Sequence, residues 1–250
     1  DDGGRSHFGS RLAHVASPNR PLSCLLLAGM EFLSFNKGIN PALKLAADGP
    51  EDAMTEDLPL RYTWSLWDQT AKSSEKSSTY HDATHVMGSF STVQGFWKLW
   101  KQMPQPSVLL EQKQMARETA EGPEPLDAIM MFRDKVRPEW EDELNASGGH
   151  FQFQVKPSAG GGQLDEYWNN LVLGVIGSSI EPANMITGLR LVDKLSGIRA
   201  SNVIRIEVWF TNFDDTAAVQ QLRRNVEKCL ATRMDGSQGT PPRSETKSHH

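Results

Sequence analysis

The 250-residue chain has few cysteines and no long uninterrupted apolar run. Cys24 and Cys229 are the two cysteines. They lie far apart, so we expect a reducing compartment rather than a disulfide framework. The apolar stretch from Leu22 to Leu33 is broken by polar and charged residues and is too short for a transmembrane helix. Because it follows Arg11 and Arg20, it also bears a faint likeness to a signal peptide, and that alternative stays open.

Excess positive charge is also missing, since the net charge is -5 and the sequence pI is about 5.8. An acidic chain is a poor general binder of polyanions, so any nucleic-acid site must be small and locally basic. Tryptophan, in contrast, is abundant, with seven residues against three tyrosines. Because tryptophan is costly to expose, we expect some of these rings in the core and others on a binding surface.

The length suits one domain with a substantial core, flanked by tails. Residues 1–56 are rich in Gly, Ser, Pro and Asp and show no sustained periodicity, which predicts a flexible N-terminal tail. Residues 235–250 are polar and predict a flexible C-terminal tail. Residues 57–234 form the predicted domain between them.

Apolar periodicity within the domain predicts both strands and helices. Strands are expected at Tyr62–Trp67, Thr84–Phe90, His150–Lys156, Ile186–Val192 and Val203–Thr211. Helices are expected at Ser91–Lys101, Leu164–Ile176 and Thr216–Leu230. Ser91 and Gln94 fit a capping box, and the triple glycine at 160–162 is interpreted as a turn. Hairpins mixed with helices indicate an α+β fold, with helices on one face of an antiparallel sheet.

Several ordered segments make the chain recognisable. They are TWSLWD (63–68), STVQGFWKLW (91–100), RPEWEDELNASGGHFQF (137–153), EYWNNLVLGVIG (166–177) and IRIEVWFT (204–211). Together they cover roughly residues 57–230, and the chain resembles the translation initiation factor 4E family, whose members bind the 7-methylguanosine cap of mRNA. The resemblance implies a curved antiparallel β-sheet with about three long helices on its convex face. The cap site would lie on the concave face.

In that family two aromatic rings sandwich the methylated guanine, whose positive charge suits electron-rich aromatic faces. Trp140 matches the second stacking residue, and Glu141 matches the carboxylate that accepts hydrogen bonds from the guanine N1–H and N2–H. Tyr80 stands where the family usually has the first stacking tryptophan, although a shift in loop register would bring His81 there instead. Trp209 matches a residue near the base methyl group, or else belongs to the core.

The cap phosphates need cations. The resemblance assigns Arg199 to the triphosphate, and Arg205 to a nearby position if one residue is inserted between them. Alternation along the strand puts Arg205, Glu207 and Trp209 on one face. His150 stands where the family has arginine, and a neutral imidazole would weaken phosphate contact. The family's basic C-terminal loop has no clear counterpart in residues 235–250.

A second surface is implied on the convex face. Family members bind a 4G-type scaffold initiation factor or a 4E-binding repressor there, through a helical motif, Tyr-x4-Leu-apolar. Asn169 and Asn170 stand where the family has an apolar and an acidic residue, and the N-terminal tail contains no Tyr-x4-Leu motif. An excess of residues around 112–125 predicts an inserted loop. The positions that match this partner surface are Pro59, Val93, Trp97 and Leu173.

Two other functional classes are compatible with parts of the sequence. His81, Asp82 and His85 could offer two imidazoles and a carboxylate to a metal, as in a metal-dependent hydrolase, but the glutamate of a metalloprotease motif is missing. A family paralogue could instead act mainly as a protein-interaction or repressor module with weak cap binding. Our main expectation is a monomeric cap-binding protein that is not an enzyme and needs no cofactor, metal or membrane. We expect it in the cytoplasm, with the nucleus left open.

Overall fold

The computed structural model describes residues 31–41, 56–70, 83–195 and 200–250. Its strands are β1 (Pro59–Thr70), β2 (Thr84–Thr92), β3 (Met115–Thr119), β4 (Gly122–Arg133), β5 (Gly149–Val155), β6 (Ile186–Lys194), β7 (Val203–Phe210) and β8 (Ser244–Ser248). Its helices are α1 (Val93–Trp100), α2 (Val108–Gln112), α3 (Glu143–Ala146), α4 (Gly161–Ile176) and α5 (Thr216–Ala231), with a 3₁₀ turn at Pro157–Ala159. None of the helices in these ranges is long and apolar enough to cross a membrane.

All the described strands belong to one antiparallel sheet of order β2-β1-β4-β6-β7-β5-β8, with β3 added beside β4. The predicted α+β class and curved antiparallel sheet are confirmed. The main core lies between the sheet and the helices of the convex face, where Phe151 and Phe153 pack with Trp168 and Leu222. A smaller cluster on the concave face includes Phe132 and Trp209 among its members.

The predicted capping box of α1 is wrong. The helix begins one residue later than a Ser91 cap requires, and the side chain of Thr92 accepts the hydrogen bond from Gly95 N at 3.1 Å. Gln94 turns away from the helix end, because its amide group bonds to the backbone of Leu58 and Glu56, just before β1.

The C-terminal tail predicted at 235–250 is not a tail in the structure. Residues 244–248 form β8, which pairs with β5 along Gly149–Phe153. Arg223 of α5 donates a hydrogen bond to Ser244 Oγ at 2.7 Å. Because an edge strand is held by backbone hydrogen bonds, it needs no apolar alternation, and composition alone could not reveal it.

The N-terminal tail predicted at 1–56 also needs correction in its described part. Residues 31–41 pack on the domain, and Leu33 and Ser34 are buried. The triple glycine explains the close approach. Gly160 takes the left-handed turn (φ 84°). The other two glycines begin α4 rather than a turn, and a Cβ on Gly162 would lie 2.4 Å from the ring of Phe32, so glycine is needed there for Phe32 to pack on the helix.

The segment predicted as an inserted loop at 112–125 forms a hairpin of β3 and the start of β4, closed at Gly122 (φ 116°). Arg117 on this hairpin makes ion pairs with Asp68 of β1 and with Glu124. The extra residues therefore widen the sheet at one side.

Candidate functional site

A pocket of about 540 Å³ opens on the concave face, between the strands β5, β6, β7 and β8 and the loop before α3. Polar and charged side chains dominate its walls. The lining residues are Trp140, His150, Gln152, Gln154, Arg190, Lys194, Ser201, Val203, Arg205, Glu207 and Lys247.

Strand alternation places the central side chains. His150, Gln152 and Gln154 of β5 face the pocket, while the intervening Phe151 and Phe153 enter the main core. In the register of β5 with β7, Gln154 lies opposite Arg205, Gln152 opposite Glu207, and His150 opposite Trp209. The predicted alternation in both strands is therefore confirmed.

The charged side chains of the pocket are grouped around Glu207. This buried carboxylate lies 2.8 Å from Arg205 Nε and 3.8 Å from Arg190 Nη1, and it accepts a hydrogen bond from Trp209 Nε1 at 2.9 Å. Burial acts to raise the pKa of Glu207, but the two guanidiniums outweigh it, and the pKa is lowered. Glu207 therefore stays ionised and holds the two arginines in place.

Four of the lining residues are cations, namely Arg190, Lys194, Arg205 and Lys247, against one buried carboxylate. The pKa of Lys194 is lowered, first by burial and then by the neighbouring arginines. Lys247 Nζ donates to Gln152 Oε1 at 3.0 Å. On a chain of net charge -5, this is the small, locally basic site that an anionic ligand would need.

The pocket also has an aromatic part. Trp140 is 55% exposed, and its ring is nearly parallel to that of His249, at 14° and 6.1 Å between centroids. His249 Nδ1 donates to Asn145 O at 2.8 Å, which leaves its Nε2 to accept from His150 Nδ1 at 3.0 Å. The His150 ring in turn lies nearly parallel to Trp209, at 20° and 5.6 Å.

Both imidazoles are neutral at pH 7. The pKa of His150 is lowered to about 4, mainly by burial and to a smaller extent by His249, Arg205 and Lys247, against the raising effect of Glu207. Burial also lowers the pKa of His249. The imidazole pair therefore adds hydrogen-bonding capacity to the site at neutral pH without adding charge.

The loop that carries Trp140 is fixed by its own hydrogen bonds. Asp142 accepts from Arg137 N at 2.9 Å and from Leu144 N at 3.0 Å. The buried Asn145 donates to the carbonyls of Arg137 and Glu139, each at 2.9 Å. Trp140 is thus exposed but held on a rigid turn, an arrangement suited to stacking.

The structure brings some predicted site residues together and leaves others apart. Trp140, His150 and Arg205 line the pocket. Trp209 is only 1% exposed and lies behind the two imidazoles, with its ring centroid 4.5 Å from that of His249. Glu141 is exposed beside Trp140. Two predicted site residues, Tyr80 and Arg199, lie outside the described residues.

Sequence reasoning missed Arg190, Lys194, Lys247 and His249. Alternation could have found Arg190, which lies in the predicted strand Ile186–Val192, and Lys194 has the same parity in the longer strand β6 that the structure shows. Nothing in the sequence pointed to Lys247 and His249, because they lie in a segment interpreted as a tail. The expectation that this tail has no basic counterpart in the site is therefore wrong for Lys247.

On the convex face, Trp97 is 37% exposed. Val93 and Leu173 are half-buried, and Pro59 is exposed. The edge of the Phe35 ring packs against Trp97, at 5.3 Å between centroids.

The metal-site alternative finds no support. His81 and Asp82 lie outside the described residues, and His85 instead lies 3.3 Å from Asp68, which Arg117 also neutralises. Within the part of the chain that the structure describes, no group of three or more His, Cys, Asp or Glu could hold a metal ion.

Comparison with known proteins agrees with the geometry. The family model described as "Eukaryotic initiation factor 4E" matches residues 59–239. Eukaryotic translation initiation factor 4E of Saccharomyces cerevisiae is 30% identical over 194 residues, which cover 77% of this chain and 79% of that protein. Eukaryotic translation initiation factor NCBP of Arabidopsis thaliana is 31% identical over 176 residues, which cover 70% and 68% of the two chains.

Two solved structures share the fold. The first is a complex of C. elegans eIF4E-3 with the 4E-binding protein Mextli and a cap analog; it aligns with a TM-score of 0.58 at 17% identity, covering 78% of this chain and 94% of that one. The second is a complex of Ascaris suum eIF4E-3 with an m2,2,7G cap; it aligns with a TM-score of 0.57 at 20% identity, covering 76% and 98%.

Proposed function

This chain belongs to the eukaryotic initiation factor 4E family, and we propose that it binds the methylated guanosine cap at the 5′ end of mRNA and links it to a translation partner. It acts as a binding factor in translation initiation and not as an enzyme. We place its action in the cytoplasm, and a nuclear fraction stays a proposal that imaging of the tagged chain can test.

The observation that carries this proposal is the combination of an exposed aromatic ring and a set of cations in the concave pocket. The rigidly held Trp140 and four cations, Arg190, Lys194, Arg205 and Lys247, line the same pocket. A cap has the matching parts, because its methylated base is a flat cation and its phosphates carry negative charge. The base would stack on Trp140, where the ring quadrupole attracts a cation. The phosphates would pair with the cations.

We assign the remaining cap contacts to Glu141, Tyr80, Arg199 and His150. Glu141, exposed next to Trp140, would accept the two guanine N–H groups, because a carboxylate offers two acceptor oxygens side by side. Tyr80 would supply the second stacking face and Arg199 a further phosphate contact. His150, neutral at pH 7, would serve as a hydrogen-bonding group rather than as a phosphate cation.

The partner side of the proposal uses the convex face. A 4G-type scaffold factor or a 4E-binding repressor would lay an amphipathic helix there. Trp97 would be its central contact, since a partly exposed tryptophan on a helix is typical of binding hot spots. We propose that the chain acts as a monomer, with Pro59, Val93 and Leu173 around that contact.

Retention on cap-analogue resin, eluted by free cap analogue, tests the function as a whole. Trp140→Ala should weaken binding of 7-methyl-GTP by roughly 5- to 150-fold, because stacking of one base on one aromatic is worth about 1–3 kcal/mol. Glu141→Gln should weaken it too, since an amide offers one acceptor atom to two donors. Isothermal titration of both variants measures these losses.

The exposed Glu143 provides the matched control, because Glu143→Gln changes the same charge nearby and should leave the affinity unaltered. The Trp140→Ala variant should also melt like the parent, since more than half of the side chain is already in water. Unchanged affinity in Trp140→Ala would refute the base site. A parent chain that binds a partner but not the resin would favour the repressor-type alternative.

A further inference from the structure

The described N-terminal residues 31–41, here named the N-terminal clasp, are built into the convex face. Ser34 is fully buried, and its hydroxyl donates to Asp165 Oδ2 of α4 at 2.5 Å. Asn36 donates to Ser107 Oγ at 2.7 Å and to Glu111 at 3.2 Å. The clasp therefore reaches from α4 to α2 by specific polar contacts.

A second set of contacts runs along the backbone of the clasp. Asn169 of α4, which is fully buried, donates to Leu33 O at 2.8 Å. Leu33 N donates to Glu166 Oε1 at 3.4 Å, and Phe35 N donates to Gln105 Oε1 at 3.3 Å. These bonds hold the residues from Leu33 to Phe35 in a groove floored by α4.

Aromatic contacts complete the groove. Phe32 covers Gly162, where a Cβ would come within 2.4 Å of its ring. Phe35 places its edge on Trp97 at 5.3 Å between centroids. Trp97 is one of the positions that match the family's partner surface, and Asn169 lies at a position of that surface where the family has an apolar residue. The clasp therefore covers part of the surface that a partner helix would use.

Polar groups in the groove keep hydrogen-bond partners when the clasp is removed. When Ser34 leaves, Asp165 keeps hydrogen bonds from both the backbone and the hydroxyl of Ser107, at 2.7 and 2.8 Å. When Leu33 leaves, Asn169 keeps its bond to Gln105 Oε1 at 2.7 Å. Both Asp165 oxygens and the amide nitrogen of Asn169 would therefore keep a hydrogen-bond partner after opening, and leaving such buried groups without one is the usual large cost of removing a buried partner.

We propose that this groove is a docking site for an extended peptide, occupied here by the clasp, and that the clasp and a partner helix exclude each other on the convex face. The physical reason is steric overlap, because the clasp and the partner helix both need the Trp97 ring and the surface over Asn169. The apparent partner affinity is then the intrinsic affinity multiplied by the fraction of molecules in which the clasp is open. This inference rests on the partner half of the proposed function.

The test uses the full chain and a synthetic helical peptide that carries Tyr-x4-Leu-apolar, with binding followed by fluorescence anisotropy. Ser34→Ala and Phe35→Ala each remove a clasp contact, so each should tighten peptide binding, by up to roughly tenfold. Lys37 is exposed within the clasp, so Lys37→Ala is the matched control and should leave the affinity unchanged. A free peptide of sequence 31–41 should compete with the helical peptide on the Phe35→Ala variant.

Hydrogen exchange provides a readout that does not depend on a variant. Adding the helical peptide to the parent chain should speed exchange at the Leu33 and Phe35 amides. Weaker or unchanged binding in Phe35→Ala, with exchange unaffected, would overturn the inference. The proposed partner surface fails separately, if Trp97→Ala binds the peptide as well as the parent does.

Discussion

Replacing His150 by glutamine should remove much of the acid sensitivity of this fold. The imidazole is buried beside His249 and faces Glu207, Arg205 and Lys247 across the pocket. Burial is the largest cause of its lowered pKa, which falls from 6.5 to about 4. Glutamine keeps a polar group at this position but does not titrate, so the comparison isolates one proton.

The sign of the pH effect on the free energy of unfolding depends on whether the folded or the unfolded chain binds the proton more tightly. Above about pH 6.5 both the folded and the unfolded chain carry a neutral imidazole, so the shift has no effect. Between pH 6.5 and about 4 the unfolded chain binds a proton that the folded chain refuses, and the free energy of unfolding drops as the pH falls. Linkage gives a loss of about 2 kcal/mol at pH 5 relative to pH 7.

Asp165 acts in the opposite direction. Burial raises its pKa from 3.8 to about 6, against the lowering effect of hydrogen bonds from Ser34 and Ser107. The folded chain then binds this proton first, so the free energy of unfolding rises as the pH falls from about 6 toward 4. The gain is about 1 kcal/mol at pH 5, which partly hides the His150 effect in the parent chain.

Urea unfolding of parent and His150→Gln at about pH 7, 6 and 5 separates the two effects, because Asp165 contributes equally to both chains. The stability difference between them should shift by about 2 kcal/mol in favour of the variant over this range. Asp165→Asn is the control with the opposite slope. A difference that stays constant with pH would refute the argument, since His150 would then titrate like an exposed imidazole.

Two further predictions concern the pocket and the strand beneath it. Lys247→Gln should weaken binding of 7-methyl-GTP several-fold and of 7-methylguanosine hardly at all, because it removes one of the pocket cations proposed to pair with the phosphates; equal losses in calorimetry would contradict this role of Lys247. Gly188→Ala should cost about 1–3 kcal/mol of stability, because its Cβ would lie 2.4 Å from the Phe132 ring, which packs on Trp209; an unchanged melting temperature would contradict this.

Much of the fold could be predicted because short-range patterns carry it. Alternation in residues 150–156 put Phe151 and Phe153 in the core and His150 on the pocket face, as the structure has them. Apolar spacing predicted α4 and α5 to within a few residues. Where prediction failed, a neighbour distant in sequence determined the local structure. The glycine at 162, for example, is in close contact with Phe32 of the N-terminal clasp.

The candidate site divides in the same way. Trp140 and Arg205, which line the pocket, could be predicted because each lies in a recognisable segment of its own. His249 was missed because its partner His150 is 99 residues away, and the preceding strand β8 is held by backbone bonds that leave no side-chain pattern. The packing of the clasp could not be predicted for the same reason, since Ser34 bonds to Asp165 across 131 residues.

The sequence by itself determined which face of each strand is apolar, where the main helices run and which family the segments resemble, because periodicity and motif spacing are local properties of the chain. Only the tertiary structure decided that residues 31–41 and 244–248, which lie in the segments interpreted as tails, belong to the domain. It brought Lys247 and His249 into the pocket and laid Phe35 on Trp97. The physical reason is that polar segments gain their stability from partners supplied by the rest of the fold, and those partners leave no trace in the segment's own composition.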